Sequence, residues 1–311
     1  KPLSLVFAMT FFEKLYAPFF IFFESDKRLF WLYLLSSLVI GLVALYLREK
    51  SWKKSFQKFF NKKFLFHSSH RLDLSLFIFN IFLKMGVFAL VTFTAASVSL
   101  KINQWLNDFF PSYQPLAMGY QQVLFAYTLT SFIILDFSRF FQHYIFHKVP
   151  FLWEFHKVHH TARVLSPLTL FRTHPLESLV ASFRRILVLG FLAGLFTFLT
   201  RSMIGVYAIL GVNAFDFLFN LAGSNLRHSH IWLSFGPFNY LFISPAQHQI
   251  HHSRDQKYYD TNLGIVFSVW DQIFGTFYHP KKKEFISFGV RGEEHANLKD
   301  ALVKPFRSWF T

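Results

Sequence analysis

Residues 29–47 read LFWLYLLSSLVIGLVALYL, a run of 19 residues without a charged side chain. As an α-helix this run would be about 28 Å long, close to the roughly 30 Å hydrocarbon core of a lipid bilayer. The run therefore predicts a transmembrane helix. It sets the predicted fold class, an all-α integral-membrane helical bundle.

Further apolar runs bring the predicted number of transmembrane helices to about four to five. They cover residues 72–100, 116–137, 186–200 and 203–222. Arg201 and Ser202 separate the last two runs and predict a tight hairpin between them. Residues 15–23 and 233–243 are apolar but too short to span. The first is predicted to lie in the membrane interface, and the second to be interfacial or re-entrant.

The composition supports a membrane protein and excludes several classes of site. Hydrophobic residues make up 53% of the 311 residues and charged residues only 16%, against about 25% charged in an ordinary globular chain. The basic residues behind the formal charge of +15 lie beside the apolar runs, which favours an anionic membrane surface over nucleic acid or an acidic substrate as the partner. No cysteine is present, so disulfides, thiolate metal sites and iron–sulfur clusters are excluded within this chain.

The loop charges predict the orientation of the bundle. Residues 48–63 contain seven Lys or Arg and one Glu, and the positive-inside rule places such a loop in the cytoplasm. Alternation then places residues 138–175, and everything after residue 223, on the cytoplasmic side. The histidine groups described next fall in these two stretches, although they were not used to choose the orientation.

Eight of the 15 histidines fall into three tight groups. On a helix, residues at i, i+3 and i+4 share one face, so each group presents its imidazoles in one direction, as a metal ion requires. A ninth ligand is predicted from residues 225–230, with His228 preferred and His230 as the alternative. The eight grouped histidines are His143 and His147; His156, His159 and His160; and His248, His251 and His252.

The number of imidazoles predicts two metal ions, because a zinc ion takes only about four ligands. Imidazole suits iron as well as zinc, copper or nickel, so ligand type alone does not select the metal. The His-Glu-x-x-His zinc-protease pattern is absent, and no carboxylate stands in a general-base position beside the groups. The remaining histidines are interpreted as interfacial (His67, His70) or as surface and packing residues (His279, His295).

The three groups together resemble the histidine boxes of the fatty acid hydroxylase/sterol desaturase superfamily. The resemblance covers roughly residues 120–280, and residues 1–110 carry no such signal. One departure is Gly223-Ser224-Asn225, where many relatives have His-Ser-Asn, so the ninth ligand stays open between His228 and His230. Further similar stretches are Asp136 seven residues before His143, Arg172-Thr-His174-Pro-Leu-Glu177, SPAQHQIHHS (244–253), DTNLG (260–264) and WDQIFGT (270–276).

The resemblance implies a membrane-bound oxygenase that hydroxylates or desaturates a lipid with O2. It implies two iron ions as cofactors, for which zinc could substitute. It also implies that Asp136, His174 and Asn262 are candidates to support and orient the metal ligands. No haem segment of a fused cytochrome b5 and no nucleotide-binding fingerprint is present, so a separate electron-transfer protein is predicted. The predicted regions are an N-terminal membrane region (1–115), a catalytic region (116–280) and a basic cytoplasmic tail (281–311).

Two other classes compete with this interpretation. A membrane metal transporter or metal-binding protein would also use clustered histidines, but transporters place their ligands near the middle of the bilayer. Here the groups lie at the predicted cytoplasmic ends of the spans. A zinc-dependent membrane hydrolase would need a carboxylate base that the sequence does not offer.

Overall fold

A computed structural model describes residues 20–90, 94–201, 205–209 and 212–308. The regular secondary structure of the described residues is almost entirely helical, which confirms the predicted all-α class. It includes one pair of two-residue antiparallel strands, β1 (Ala208–Ile209) and β2 (Val212–Asn213). Short 3-10 turns cover Pro167–Phe171, Ser224–His228, Gly236–Tyr240 and Gln256–Tyr258. The α-helices are α1 (Trp31–Glu49), α2 (Trp52–Phe59), α3 (Lys62–Leu65), α4 (Ser69–Leu90), α5 (Ala95–Phe109), α6 (Tyr120–Lys148), α7 (Pro150–His160), α8 (Pro175–Thr200), α9 (Ala214–Leu221), α10 (Pro245–His251), α11 (Val269–Phe274) and α12 (Leu298–Arg307).

Within the described part of the chain, the helices long and apolar enough to cross a membrane are α1, α6 and α8. Only 17% of the most apolar window of α8 and 28% of that of α1 is buried inside the protein, which leaves broad apolar surfaces for lipid. Helix α6 has 29 residues and is therefore about 43 Å long, more than a bilayer core requires. Its last turns extend beyond the predicted apolar run and carry His143 and His147.

The predicted span over residues 203–222 is wrong. Its described residues form the strand pair and the eight-residue helix α9. A helix of that length is only about 12 Å long, too short to cross a bilayer. The reason is a polar anchor: the Asn213 side chain caps α9 at Phe215 N and donates from Nδ2 to Thr128 O and Ser131 Oγ of α6. The chain turns back along α6 instead of crossing. The hairpin predicted at Arg201 and Ser202 begins at Arg201, which ends α8 with φ of 52°, while Ser202 lies outside the described residues.

The apolar run 72–100 forms two helices, α4 and α5, and residues 91–93 between them lie outside the described residues. Helix α5 packs closely on α8 at two glycines spaced four apart. A Cβ atom on Gly190 would lie 2.5 Å from Val98 Cβ, and one on Gly194 would lie 2.6 Å from Ser99 O. Small residues at this spacing allow helix backbones to approach closely inside membranes.

Two short segments present exposed aromatic rings. In the predicted interfacial run 15–23, only the part from Phe20 lies in the described residues, and there Phe23 is 69% exposed. Residues 233–243 contain the turn Gly236–Tyr240, in which Phe238 is 68% exposed. Among their described residues, neither segment is helical over a length that could span.

Buried carboxylates hold the C-terminal loops against the bundle. Asp136 of α6 accepts hydrogen bonds from Val266 N, Phe267 N and Trp270 Nε1 at 3.0, 3.1 and 2.9 Å. Asp271 accepts from the backbone nitrogens of residues 263 and 264 and from the hydroxyl of residue 276. These bonds place residues 262–276 beside the end of α6 that carries the histidines.

A buried ion pair joins α4, α7 and the segment before α8. Arg172 Nη1 lies 3.1 Å from Asp73 Oδ1, and its Nε donates to Val158 O of α7 at 3.0 Å. Helix α12 covers the same region, because Ala301 packs with Leu72 and Val158 in one apolar cluster. Helix α7, which carries three of the grouped histidines, is thereby held from two sides.

Candidate metal centre

The structure brings all nine predicted histidines together in two adjacent groups. They come from α6, α7, the turn Ser224–His228 and the segment from α10 to His252. Within each group, one nitrogen of every ring lies within 4.8 Å of the others. The group of five is His143, His147, His156, His160 and His251, and the group of four is His159, His228, His248 and His252.

Each His-x-x-His-His motif is divided between the two groups. In α7, His156 and His160 join the group of five, while His159 joins the group of four. At α10 the division is reversed. His248 and His252 join the group of four, and His251 joins the group of five. Successive residues of an α-helix point about 100° apart, whereas residues i and i+4 nearly superimpose. One turn of helix therefore serves two sites.

Of the two alternatives for the ninth position, the structure places His228 in the cluster. Its Nε2 lies 3.0 Å from His248 Nε2 and 3.3 Å from His159 Nε2. His230 points the other way: its Nε2 donates to Lys58 O at 2.8 Å, and its ring packs 4.1 Å from the ring of Phe64.

Oxygen acceptors orient four rings of the group of five. His143 Nδ1 donates to Leu263 O at 2.7 Å, and His251 Nδ1 donates to Thr261 O at 3.0 Å. The other two rings donate to carboxylates. His147 Nδ1 donates to Asp260 Oδ1 at 3.1 Å, and His156 Nδ1 donates to Glu177 Oε1 at 2.9 Å. Carbonyls and carboxylates only accept, so in a neutral ring the proton lies on Nδ1 and the lone pair on Nε2.

The Nε2 atoms of these rings face one another. His143 Nε2 and His156 Nε2 are 3.0 Å apart, yet in the neutral rings neither carries a proton to share. The buried Nε2 atoms of His147 and His251 likewise have no hydrogen-bond partner among the described residues. Two nitrogens bound at right angles, each about 2.1 Å from one metal ion, would be about 3.0 Å apart. The residues present therefore fit a metal ion in this group.

The group of four has the same spacing. His252 Nε2 lies 3.2 Å from His248 Nε2, which in turn lies 3.0 Å from His228 Nε2. The opposite nitrogens of His159, His248 and His252 are buried without a hydrogen-bond partner in the described structure. Four ring nitrogens converging at these distances match the number and type of donors that one metal ion accepts.

Burial keeps the clustered imidazoles neutral. It lowers the pKa of His156 to about 3 and that of His159 to about 3. Burial also moves the pKa of His228, His248 and His252 well below the usual value of 6.5, with smaller contributions from neighbouring histidines. A neutral imidazole is the form that binds a metal ion.

None of the three residues predicted to support the metal ligands makes a hydrogen bond to a histidine of either group in the described structure, so that role stays a prediction. Asp136 bonds to the 266–270 segment, as described above. His174 caps α8 at Leu176 N and donates to Leu302 O. Asn262, with φ of 54°, donates to Gln247 O and accepts from Tyr278 N. All three residues position backbone, and Asn262 lies between the two carbonyls that orient His251 and His143.

The groups that do orient the rings include two carboxylates that the sequence interpretation missed. Glu177 lies in the first turn of α8, and Asp260 also binds Lys148 Nζ at 2.8 Å. A signal for Glu177 was present, because the stretch Arg172-Thr-His174-Pro-Leu-Glu177 is among those that resemble the family. No local signal pairs Asp260 with His147, since the two are distant in the chain.

Five of the nine histidines, with members of both groups among them, line a chamber of about 370 Å³. Two apolar spaces adjoin it. A cavity of about 420 Å³ shares Phe219, Arg227 and Val266 with the chamber, and a groove of about 560 Å³ between α6 and α8 shares Gln142 and Arg184 with it. The arrangement gives an elongated apolar molecule room beside the two histidine groups.

Comparison with known proteins agrees with this geometry. Residues 128–276, which contain all nine histidines, match the family model described as fatty acid hydroxylase. This region is therefore similar to the fatty acid hydroxylase family, and the resemblance stated from the motifs is confirmed. Similarity to a metal-dependent family agrees with the histidine clusters that lie in the same residues.

The names of curated relatives that this chain is similar to describe enzymes that act on lipids. The ornithine lipid hydroxylase OlsE of Rhizobium tropici is 27% identical over 91% of this chain and 78% of its own length. The alkylglycerol monooxygenase of Homo sapiens is 26% identical over 48% of this chain and 30% of its own length. The very-long-chain aldehyde decarbonylase GL1-9 of Oryza sativa subsp. indica is 28% identical over 48% of this chain and 53% of its own length.

These relatives confirm the predicted class of activity, an oxidoreductase that acts on lipids, and do not favour the metal-transporter alternative. No solved structure matches the chain.

Proposed function

We propose that the protein is a membrane-bound oxygenase that oxidises a C–H bond of a lipid with O2, using two iron ions held by nine histidines. The observation that carries the proposal is the pair of buried imidazole groups facing one chamber beside apolar cavities. In a hydroxylation, C–H, O2, two electrons and two protons give C–OH and one water. Desaturation would use the same ligands.

The group of five would hold one ion and the group of four the other. Bound iron supplies the activation of O2, which no side chain of this chain can supply. The chain's own residues orient the imidazoles, keep them neutral and shield the chamber from water. Glu177 and Asp260 orient two of the rings, because an imidazole N–H that donates to a carboxylate fixes the direction and tautomer of its ring. Zinc could bind the same imidazole nitrogens in place of iron. The identity of the bound metal must therefore be measured directly.

The substrate would enter from the membrane through the groove between α6 and α8. Both helices are candidate spans, and the groove is lined by apolar side chains that include Phe141, Ile145 and Val180. A lipid would then reach the chamber without crossing water. We propose in addition a catalytic region at residues 116–280, with residues 1–115 as membrane support and residues 281–311 as a basic tail.

We also propose that the histidine groups face the cytoplasm and that a separate acidic protein delivers the electrons. The basic loop 48–63 supports the orientation. The exposed Lys281, Lys282 and Lys283 and, separately, the basic end of α12 offer positive charges suited to an acidic donor. Exchanging the three lysines for glutamate is expected to slow turnover with the natural donor but not with a small-molecule reductant. Equal slowing with both would contradict donor docking.

The function is tested by mass spectrometry of membrane lipids from cells producing the wild-type protein or single variants. His251→Ala removes a member of the group of five, and His159→Ala removes a member of the group of four. Both are expected to lose an oxidised lipid and to lower the iron content of the purified protein. His230→Ala is the matched control, because this ring lies outside both groups, and it should retain product and iron.

Two results would contradict the proposal. One is an oxidised lipid that persists in both variants. The other is a lipid product that forms equally well when oxygen is excluded.

A further inference from the structure

Five arginines line the chamber that the histidines face: Arg28, Arg139, Arg184, Arg185 and Arg227. Three carboxylates line it as well: Asp26, Asp216 and Glu177. With the imidazoles neutral, five positive charges face three negative ones, which leaves a formal excess of two. An excess of positive charge in a partly enclosed chamber attracts an anionic ligand.

The carboxylates of the chamber are already engaged. Glu177 accepts from His156, and Asp216 pairs with Arg139 at 3.3 Å. Asp26 pairs at 2.6 Å with Lys27, which does not line the chamber. The excess positive charge is therefore not neutralised by side chains that face the chamber.

The other arginines have neutral partners. Arg184 donates from Nε to Gln142 Oε1 at 2.7 Å and from Nη1 to Ser138 Oγ at 2.5 Å. Arg28 donates to Asn225 Oδ1 at 3.2 Å. Arg185 makes no hydrogen bond or ion pair that the described structure shows, and its side chain is exposed toward the chamber. Neutral partners hold the guanidinium groups in place and leave their charge available to a ligand.

Arg184 and Arg185 also lie inside a candidate span. They follow Pro175, the first residue of α8, by nine and ten residues, or about 14 Å along the helix. Ionisable residues within a span are rare, face a cavity and mark the site of a ligand. Arg184 lines both the chamber and the apolar groove between α6 and α8, so a charged site and an apolar channel meet at one side chain.

We propose that the chamber is a headgroup site for a lipid that carries an oxyanion, a phosphate or a carboxylate. The guanidinium groups of Arg184 and Arg185 bind the oxyanion, because the planar fork of arginine matches both groups. The chain of the lipid lies in the groove between α6 and α8. This inference rests on the proposed function, since it specifies the class of lipid substrate.

The test measures lipid binding to the purified full-length protein in neutral detergent, by native mass spectrometry. Two pairs of probes differ only in the oxyanion: phosphatidic acid against diacylglycerol with the same chains, and a fatty acid against its methyl ester. The acidic member of at least one pair is expected to bind about tenfold more tightly, as charge-assisted hydrogen bonds predict.

Arginine variants assign the preference to the chamber. Arg184→Gln and Arg185→Gln should each reduce the preference several-fold, and Arg184→Lys should retain part of it. Arg254→Gln is the matched control, because Arg254 is exposed and does not line the chamber. If Arg184→Gln fails to fold, Arg185→Gln still decides, because it removes no bond that the structure shows.

Three outcomes would overturn the inference: equal binding within both pairs, an equal loss of preference in Arg254→Gln, or inorganic phosphate binding as tightly as phosphatidic acid. The last would indicate a site for a free anion that makes no use of the chain. Iron content is measured on the same samples. In the wild-type protein, absence of a lipid preference with iron present contradicts only the headgroup site, whereas absence of iron with the lipid preference present contradicts only the metal assignment.

Discussion

A neutral histidine offers a single lone pair, and the partner of one ring nitrogen decides which nitrogen carries it. In the group of five, a carbonyl or carboxylate oxygen accepts from Nδ1 of four rings. These acceptors direct the four Nε2 lone pairs toward a common point. At the scale of single residues, the site therefore depends on Glu177 and Asp260 as much as on the histidines.

Glu177→Gln tests this dependence. The amide has nearly the same shape but lacks the negative charge beside His156 Nδ1, so the ring is oriented less firmly and is a weaker base. Metal affinity is expected to fall by about 10- to 100-fold, measured by competition with a chelator of known affinity. Glu154→Gln is the control, because Glu154 pairs with Lys157 at 2.7 Å. Equal affinity in wild type and Glu177→Gln would show that the carboxylate does not tune the ligand.

At the scale of helices, the bundle depends on the close contact between α5 and α8. Gly190 and Gly194 lie on the face of α8 that meets α5, where a Cβ atom would overlap Val98 Cβ or Ser99 O. The neighbouring atoms include backbone, which cannot swing aside as a long side chain can. The chamber is lined by residues of α8 as well, so this contact also positions part of the site.

Gly194→Ala is expected to push α5 away from α8 and to lower the free energy of unfolding by about 1–3 kcal/mol, the usual cost of overpacking. Thermal unfolding in detergent measures the effect. Gly86→Ala is the matched control, since a Cβ atom there would have no neighbour within 4 Å. It should leave the unfolding temperature unchanged or slightly raised. An unchanged unfolding temperature in Gly194→Ala would mean that the two helices are not held together at this point.

The segment before α12 is attached through a buried histidine. His295 Nδ1 lies 3.2 Å from Thr161 Oγ1 at the end of α7. Burial, with the nearby Arg172 and Lys304, lowers the pKa of His295 from 6.5 to about 4. Because the folded-state pKa lies below the ordinary value, the neutral ring contributes stability above pH 6.5. That contribution is lost as the pH falls toward about 4.

His295→Gln isolates the effect from the titration of the other histidines. Between pH 6.5 and 4, the unfolding temperature of the wild type should fall more steeply than that of His295→Gln. Parallel curves for the two proteins would show that His295 does not contribute to the acid sensitivity.

At the scale of the whole molecule, the two histidine groups join segments that are far apart in the chain. The end of α6, α7, the turn Ser224–His228 and α10 all contribute rings. Because the unfolded chain has no preformed site, metal binding stabilises the folded state. The centre is therefore a structural link across the bundle as well as a place for chemistry.

Removal of metal by a chelator is expected to lower the unfolding temperature of the full-length protein, and added Fe²⁺ should restore it. A metal present at 100 times its dissociation constant would contribute about 2.7 kcal/mol. The response should be smaller in His228→Ala and unchanged in His230→Ala. A chelator effect of the same size in both variants would contradict the assignment of His228 to the group of four.

Local signals in the sequence carried the prediction of the spans α1, α6 and α8 and of the three histidine groups. Hydropathy over about 20 residues and the spacing i, i+3, i+4 are properties of the chain alone. The same signals failed at residues 203–222, where Asn213 binds α6 and turns an apolar stretch back. Apolar length could not reveal that contact, because its partners lie some 80 residues earlier in the chain.

The amino-acid sequence by itself determined that this protein lies in a membrane and that imidazoles gather on helix faces. Both properties are set by residues close together in the chain: long uncharged apolar runs in the first case, and the spacing i, i+3, i+4 in the second. Only the tertiary structure decided how each His-x-x-His-His motif divides between two groups, which oxygens orient the rings, and which arginines share their chamber. Those features depend on side chains from separate helices meeting in space, and the free energy of packing the whole bundle sets where they meet.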